Sequence, residues 1–471
     1  MDHDQTRKTR RSLSVRWRWC WVAGLLAAAI APLSAQPAAP GRAVLLISID
    51  GLRPDYVLEA DKHGLKLPRL RALAREGAYA RSVRGVLPSA TYPSHTTVVT
   101  GVAPARHGIV GNHPFDGAVK DLDVWYYYAE DLRVPTLWDA AAGGGYAVGN
   151  VSWPVTVGAV SIRYNIPEYN LTRTDEDVKI TRGAATPGLM AELSVKAGAY
   201  ITDNTKAVER DWARTRYTLE MLRLKQPRFV TVHLVATDHL QHRDGPFTPR
   251  VVAALEEIDQ MVGQMTDAMR AIDPAAAVCV VSDHGFAPVN HVLYLDAALV
   301  KAGLITLKTP GKTVEASGIA AWVARSWPAS GSAAIVLKDP QDAAAKARVK
   351  AFLDELAAQP ANGIAAILDE AAIRELGGAP RASFWVDMRP GFSIHPSLAP
   401  SIVAAVSARG THGYVPTLPE MGSTFIVQGQ GIRRGADLGT IDMRSIAPTL
   451  ARAMGVPFPT AEAPAVDIFA K

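Results

Sequence analysis

Three short apolar, β-branched runs in this chain each stop at an aspartate, and helical stretches intervene. "AVLLISIDG" (43–51) ends at Asp50, "RFVTVHLVATD" at Asp238, and "AAVCVVSDHG" at Asp283 and His284. The intervening "LPRLRALAREG", "TKAVERDWARTRYTLEMLRLK" and "PRVVAALEEIDQMVGQMTDAMRAI" read as helices, the first closed by Gly77. Strands alternating with helices predict an α/β fold with a mostly parallel sheet covered on both faces. In such sheets ligands sit beyond the carboxyl ends of the strands. Acids at the ends of core strands need partners, because burying them unpaired costs several kcal/mol. Three aspartates delivered to one sheet edge therefore point to a metal cation.

The chain has 471 residues, 48% hydrophobic and 20% charged, which allows one large α/β domain or two to three smaller ones. Its first 35 residues differ in kind. Six Lys/Arg precede the apolar run "CWVAGLLAAAIAPL", and "LSAQ" offers a small-residue cleavage point after Ala35. This is a secretory signal peptide pattern, predicting export to the periplasm or medium. The run is shorter than the roughly 20 residues a membrane anchor needs, so no permanent anchor is expected. Arg10-Arg11 matches the twin-arginine signal only loosely. Those six cations stand against Asp2 and Asp4, so most of the net charge of +5 belongs to the leader. What remains is nearly neutral, and no stable nucleic-acid partner is expected. Of two cysteines, Cys20 lies in the leader and Cys279 in a strand, leaving no internal disulfide.

From 305 to 400 the texture changes, with "AAIVLKDPQDAAAKARVKAFLDELAA" and "RASFWVDMRPGFSI" lacking terminal acid clusters. This predicts a smaller α+β insertion between a first part of the core (41–304) and a second (401–471). In the second part, "MGSTFIVQG" and "DMRSIAPTLARAMG" return to the main sheet. The glycine runs "GGGYAVGN" and "GQGIRRG" lack a strand–GxGxxG–helix context and read as caps and turns.

In "ATDHLQHRDGP", Asp238 and His242 are four apart and share one face if the chain turns helically, a spacing that suits one ion; His239 lies off that face. Asp283 and His284 converge where the strand ends, with Gly285 permitting the turn. "ARGTHGY" puts His412 in a glycine-flanked loop. Three Asp and three His together supply oxygen and imidazole ligands suited to zinc, with manganese or iron also admitted. In "LPSATYPSHTTVVTG", Pro93 places Thr91 just before a helix N-terminus. There Thr91 is either a plain N-cap or a metal-activated nucleophile.

Taken with "ISIDGLRPDY", "PSATYPSHTTVVTGVAPARHGIVGN", "TDHLQH", "VSDHGF", "THGY" and "DMRSIAPTLARAMGVP", the chain resembles the nucleotide pyrophosphatase/phosphodiesterase family of the alkaline phosphatase superfamily. The resemblance implies an alkaline-phosphatase-like mostly parallel sheet flanked by helices, and two zinc ions per chain. One would be held by Asp238, His242 and His412, the other by Asp50, Asp283, His284 and the oxygen of Thr91. It implies that Thr91 is the nucleophile, passing through a phosphothreonine, and that Asn112 donates to a phosphate oxygen. It also implies that Tyr92 and Trp153 line the leaving-group or base pocket. Two ions ~4 Å apart suit an in-line displacement, one for each of the attacking and leaving oxygens.

Thr91-Tyr92-Pro93-Ser94-His95 lacks the convertible Cys or Ser and the Arg of sulfatases, so sulfate esters are not the expected main substrate. Ser94-His95 also departs from the family's frequent "NH". The expected activity is cleavage of nucleotide-like phosphodiesters or pyrophosphates. The alternatives are a phosphomonoesterase or other phosphate or phosphonate hydrolase, and a non-catalytic binding protein on the same fold.

Overall fold

The computed structural model describes residues 41–115, 124–309, 311 and 313–470. The expected leader (1–35) and its cleavage point lie outside the described residues. The central sheet has eight strands: β1 Val44–Ile49, β2 Ala78–Tyr79, β3 Val148–Val151, β4 Tyr164–Ile166, β5 Phe229–Leu234, β6 Ala277–Val281, β7 Phe425–Gln428 and β8 Ala436–Asp437. Their spatial order is β8-β2-β7-β6-β1-β5-β3-β4. From β6 through β4 every pairing is parallel, and β7 is antiparallel to both of its neighbours.

The continuous apolar run of β1 reflects burial on both faces. Leu45, Ile47 and Ile49 face one apolar core, and Val44 and Leu46 face the other. Five helices matter for the site: α1 Thr91–Thr100, α2 Ala207–Lys225, α3 Ala236–Asp244, α4 Pro249–Ile272 and α5 Ile446–Met454. Helices α2 and α4 cover the first face through Met221, Leu222, Leu255, Ile258 and Val262. Val98 and Val99 of α1, with Leu450 and Ala451 of α5, cover the second. Register aligns the strand ends: Ile49 sits opposite Leu234, and Ser48 opposite Val281. Asp50 and the residues that follow β5 and β6 therefore leave the sheet at one level.

A second layer holds a four-stranded antiparallel sheet in the order Ala324–Pro328, Ser332–Leu337, Phe384–Met388, Ile364–Asp369. Beside it, Ala287–Leu293 lies between Gly391–Ile394 and Val403–Thr411. These strands share an apolar core whose members run from Ala287 to Met421. The boundaries expected at 305 and 400 thus fall inside this layer. The chain leaves the main sheet after Gly285, directly behind the Asp283-His284 pair that ends the strand, and no change of texture marks that point. Among the described residues, no helix is long and apolar enough to cross a membrane.

Asp387 in this layer is buried, and its Oδ1 accepts the Val415 N–H at 3.0 Å. Burial raises its carboxyl to about 7, against the lowering effect of the Val415 and Met388 amides. A raised acid stabilises the fold at low pH, and that contribution is lost as pH climbs from 3.8 through about 7. At about 1.36 kcal/mol per pH unit this amounts to roughly 4 kcal/mol. Asp387→Asn should therefore raise Tm by several degrees at pH 8 and leave it nearly unchanged at pH 4, as thermal melts at the two pH values would show.

Candidate active site

All the expected ligand positions meet at the carboxyl edge of the parallel strands. Asp50 directly follows β1, and Asp283 and His284 follow β6. Asp238 and His242 sit one turn apart on α3, with His242 Nε2 3.4 Å from Asp238 Oδ1. His412, just beyond Val403–Thr411, brings its Nε2 to 3.8 Å from the same oxygen. His284 Nε2 lies 3.4 Å from Asp50 Oδ1 and 3.1 Å from Asp283 Oδ2.

Two groups of potential ligand atoms result, each with its members within 4.8 Å of one another: Asp238, His242 and His412, and Asp50, Asp238 and His284. Asp238 belongs to both, whereas spacing alone placed it in one; Asp283 adjoins the second group through His284. The imidazole rings of His284 and His412 stack at 3.7 Å between centroids.

The residues suit a cation. Asp50 Oδ1, Asp238 Oδ1 and Asp283 Oδ2 are shielded from solvent and accept no hydrogen bond from the described residues. Burial, with Asp283 and Asp238 close by, pushes the Asp50 carboxyl well above its usual range. Two such charges ~4 Å apart repel by about 4 kcal/mol even in a well-screened protein environment, and a cation reverses that sign. Each of these histidines also turns Nε2 toward the cluster, because its Nδ1–H donates to a backbone carbonyl. The acceptors are Ser89 for His412 (3.0 Å), Gly410 for His242 (3.3 Å) and Gly285 for His284 (3.1 Å). Burial and the neighbouring His284 and His242 lower His412 to about 3, keeping it neutral.

Thr91 is the first residue of α1 rather than the residue before it. Ala90 occupies the cap position and makes no side-chain cap. The Thr91 hydroxyl is thus free of capping and lies 3.5 Å from His284 Nε2. Asn112 Oδ1 accepts the Tyr92 N–H at 2.9 Å, which leaves its Nδ2 as the end able to donate to a ligand. Behind Thr91, His95 is fully buried. Its Nδ1–H donates to the Thr91 carbonyl and its Nε2 pairs with the Ser48 hydroxyl, both at 2.8 Å.

Tyr92 and Trp153 stand apart from this group. Both are 0% exposed, and neither lines the cavity. Tyr92 donates to Glu168 Oε1 at 3.0 Å, and Trp153 packs edge-on against His95 and Trp138. The expectation that they form the pocket is corrected: the aromatic rings on the wall of the 1120 Å³ cavity are Phe115, Trp125 and Trp327. Arg163, a conceivable phosphate clamp, is exposed and covers Tyr164.

His233 was missed. Its Nε2 meets Asp50 Oδ2 at 3.1 Å and its Nδ1 meets Glu168 Oε2 at 2.9 Å. Despite burial, the bond to His233 holds Glu168 at about 2. The signal was present, since His233 is the one imidazole inside the apolar run "FVTVHL". Removing such an outer support typically weakens metal binding 10–100-fold. His233→Ala should lose about that much affinity at the Asp50 side, with partial recovery in His233→Gln, as read by metal titration.

Comparison with known proteins adds an independent line. Residues 44–415 match the profile of the type I phosphodiesterase / nucleotide pyrophosphatase family. The rat ectonucleotide pyrophosphatase/phosphodiesterase family member 1 is 25% identical over 254 residues, 51% of this chain and 24% of that protein. The venom phosphodiesterase of Macrovipera lebetinus is 24% identical over 281 residues, 59% of this chain and 29% of that one. The chain thus spans only about a quarter of the length of these curated relatives. Murine ectonucleotide pyrophosphatase / phosphodiesterase 5 superposes with a TM-score of 0.62 at 20% identity, covering 91% of this chain and 100% of that one. An inactive threonine-to-alanine form of the same murine protein has been solved with AMP. The alkaline-phosphatase-like architecture is therefore shared. With the family profile covering most of its length, the chain belongs to the type I phosphodiesterase / nucleotide pyrophosphatase family.

Proposed function

We propose that this protein is an exported, metal-dependent hydrolase of phosphodiester or pyrophosphate bonds in nucleotide-like substrates, with Thr91 as nucleophile. The observation that carries this reading is the Thr91 hydroxyl beside His284, near three buried carboxylate oxygens that accept no hydrogen bond from the described residues. Asp238, His242 and His412 would hold one cation, and Asp50, Asp283, His284 and Thr91 Oγ1 the other. Zinc suits this ligand set best, and manganese or iron also fit. When bound, such a pair acts as a Lewis acid, favouring the ionised threonine and the charge on a departing oxygen.

Thr91 Oγ1 attacks phosphorus as the bond to the leaving oxygen breaks, giving a phosphothreonine. Water then adds to that phosphorus, the Oγ1–P bond breaks, and the hydroxyl is restored. Asn112 Nδ2 donates to a non-bridging oxygen whose charge grows in the transition state. His95 holds the Thr91 carbonyl and so fixes the first turn of α1. Export follows from the leader pattern, and a chain whose described cysteine is a single buried thiol, Cys279, is compatible with an oxidising compartment.

The test is an assay of the zinc-loaded enzyme on bis-p-nitrophenyl phosphate and p-nitrophenyl phosphate. The diester should have the higher kcat/KM. A much higher value on the monoester would favour a phosphomonoesterase, and turnover of neither would favour a binding protein.

A further inference from the structure

On the cavity wall, α2 carries Arg210, which is only 4% exposed. A buried guanidinium normally pairs with a carboxylate. This one does not: its single hydrogen bond among the described residues is from Nη1 to Asn204 Oδ1, and its Nε–H has no acceptor. The two nearby acids are already committed. Asp211 accepts the Val235 and Ala236 amides and pairs with Arg214. Glu168 serves His233 and Tyr92. Burial and the adjacent Arg214 lower Arg210 to about 10, which still leaves it charged at neutral pH.

The position of this charge is specific. Arg210 lines the same cavity as Thr91, Asp238 and His242, so its charge borders the space in front of the ligand cluster. Arg173 lines the same stretch of wall, and its carbonyl accepts the Asn204 N–H at 3.1 Å, joining the two loops. The cavity of 1120 Å³ leaves room beyond one phosphoryl group at the ligand cluster.

We propose that Arg210, supported by Arg173 and Asn204, forms an anion subsite that binds a second phosphoryl group of the substrate, selecting pyrophosphate-type esters over simple diesters. This deepens the reading above and rests on it. The guanidinium is the obvious group to bind the extra charge through paired N–H donors.

The test separates the two claims. Binding is measured by calorimetry on the metal-loaded protein in a Thr91→Ala background, with and without Arg210→Met, which keeps the side-chain volume. The probes are ATP, bis-p-nitrophenyl phosphate and p-nitrophenyl phosphate. Arg210→Met should weaken ATP binding at least tenfold more than binding of the diester, and Arg210→Lys should recover part of that selectivity. Equal losses on ATP and diester would overturn the subsite, as would a larger loss on the monoester, which would place Arg210 on the reacting phosphoryl group. Should Arg210→Met not fold, the Thr91→Ala protein alone decides: it should bind inorganic pyrophosphate at least tenfold more tightly than inorganic phosphate, and equal affinities would overturn the proposal. Failure of the proposed function shows elsewhere, as absent turnover in the unmutated enzyme.

Discussion

Thr91→Ala should lower turnover of a diester substrate by on the order of 10³-fold or more while leaving metal content nearly intact. In the proposed mechanism the hydroxyl oxygen forms the new bond, so its loss would remove the covalent route. The six Asp and His side chains and their backbone partners do not depend on it. Thr91 does not cap α1, since Ala90 holds that position, so removing its hydroxyl costs the helix no cap hydrogen bond. Single-turnover kinetics on the variant, with parallel elemental analysis, provide the check. Near-normal turnover would remove the covalent mechanism; loss of both metal and activity would make Thr91 a structural ligand instead.

His412→Ala should weaken one bound cation by at least about 100-fold and change the other only a few-fold. His412 offers one of the three potential ligand atoms in its group, and its Nε2 is oriented by the bond to Ser89. Without it, Asp238 and His242 remain, too few to complete a four-ligand site without extra water. The stacked His284 ring also loses its neighbour at 3.7 Å, which gives the second cation its smaller response. Titration against a competing chelator measures both affinities. Unchanged stoichiometry and affinity would exclude His412 as a ligand.

The parts of this site legible in the sequence are those attached to strand ends. Asp50, Asp283 and His284 interrupt apolar runs, and polar residues at such points announce a ligand or a turn. Asp238 and His242 were legible through helical spacing, although the same spacing could not show that Asp238 faces both groups. His412 was visible only as a histidine between glycines, because the strand that delivers it belongs to the second layer.

That layer was also the least legible part of the fold. Ala287–Leu293 alternates like an ordinary half-buried strand, and it pairs with a segment more than a hundred residues later, so local pattern carried no sign of its partner. Tyr92 and Trp153 show the opposite error. Aromatic residues next to functional ones look like pocket walls in a sequence, but both side chains fill the core. Arg210 was hidden among the many charges of α2, where a buried guanidinium and a solvated one read alike.

The most direct test of the central claim is bound transition metal measured against activity on one preparation, stripped with chelator and reloaded stepwise. Activity should be lost on stripping, return with added zinc, and reach its plateau at two ions per chain. Full turnover by protein carrying a negligible amount of metal would contradict the account.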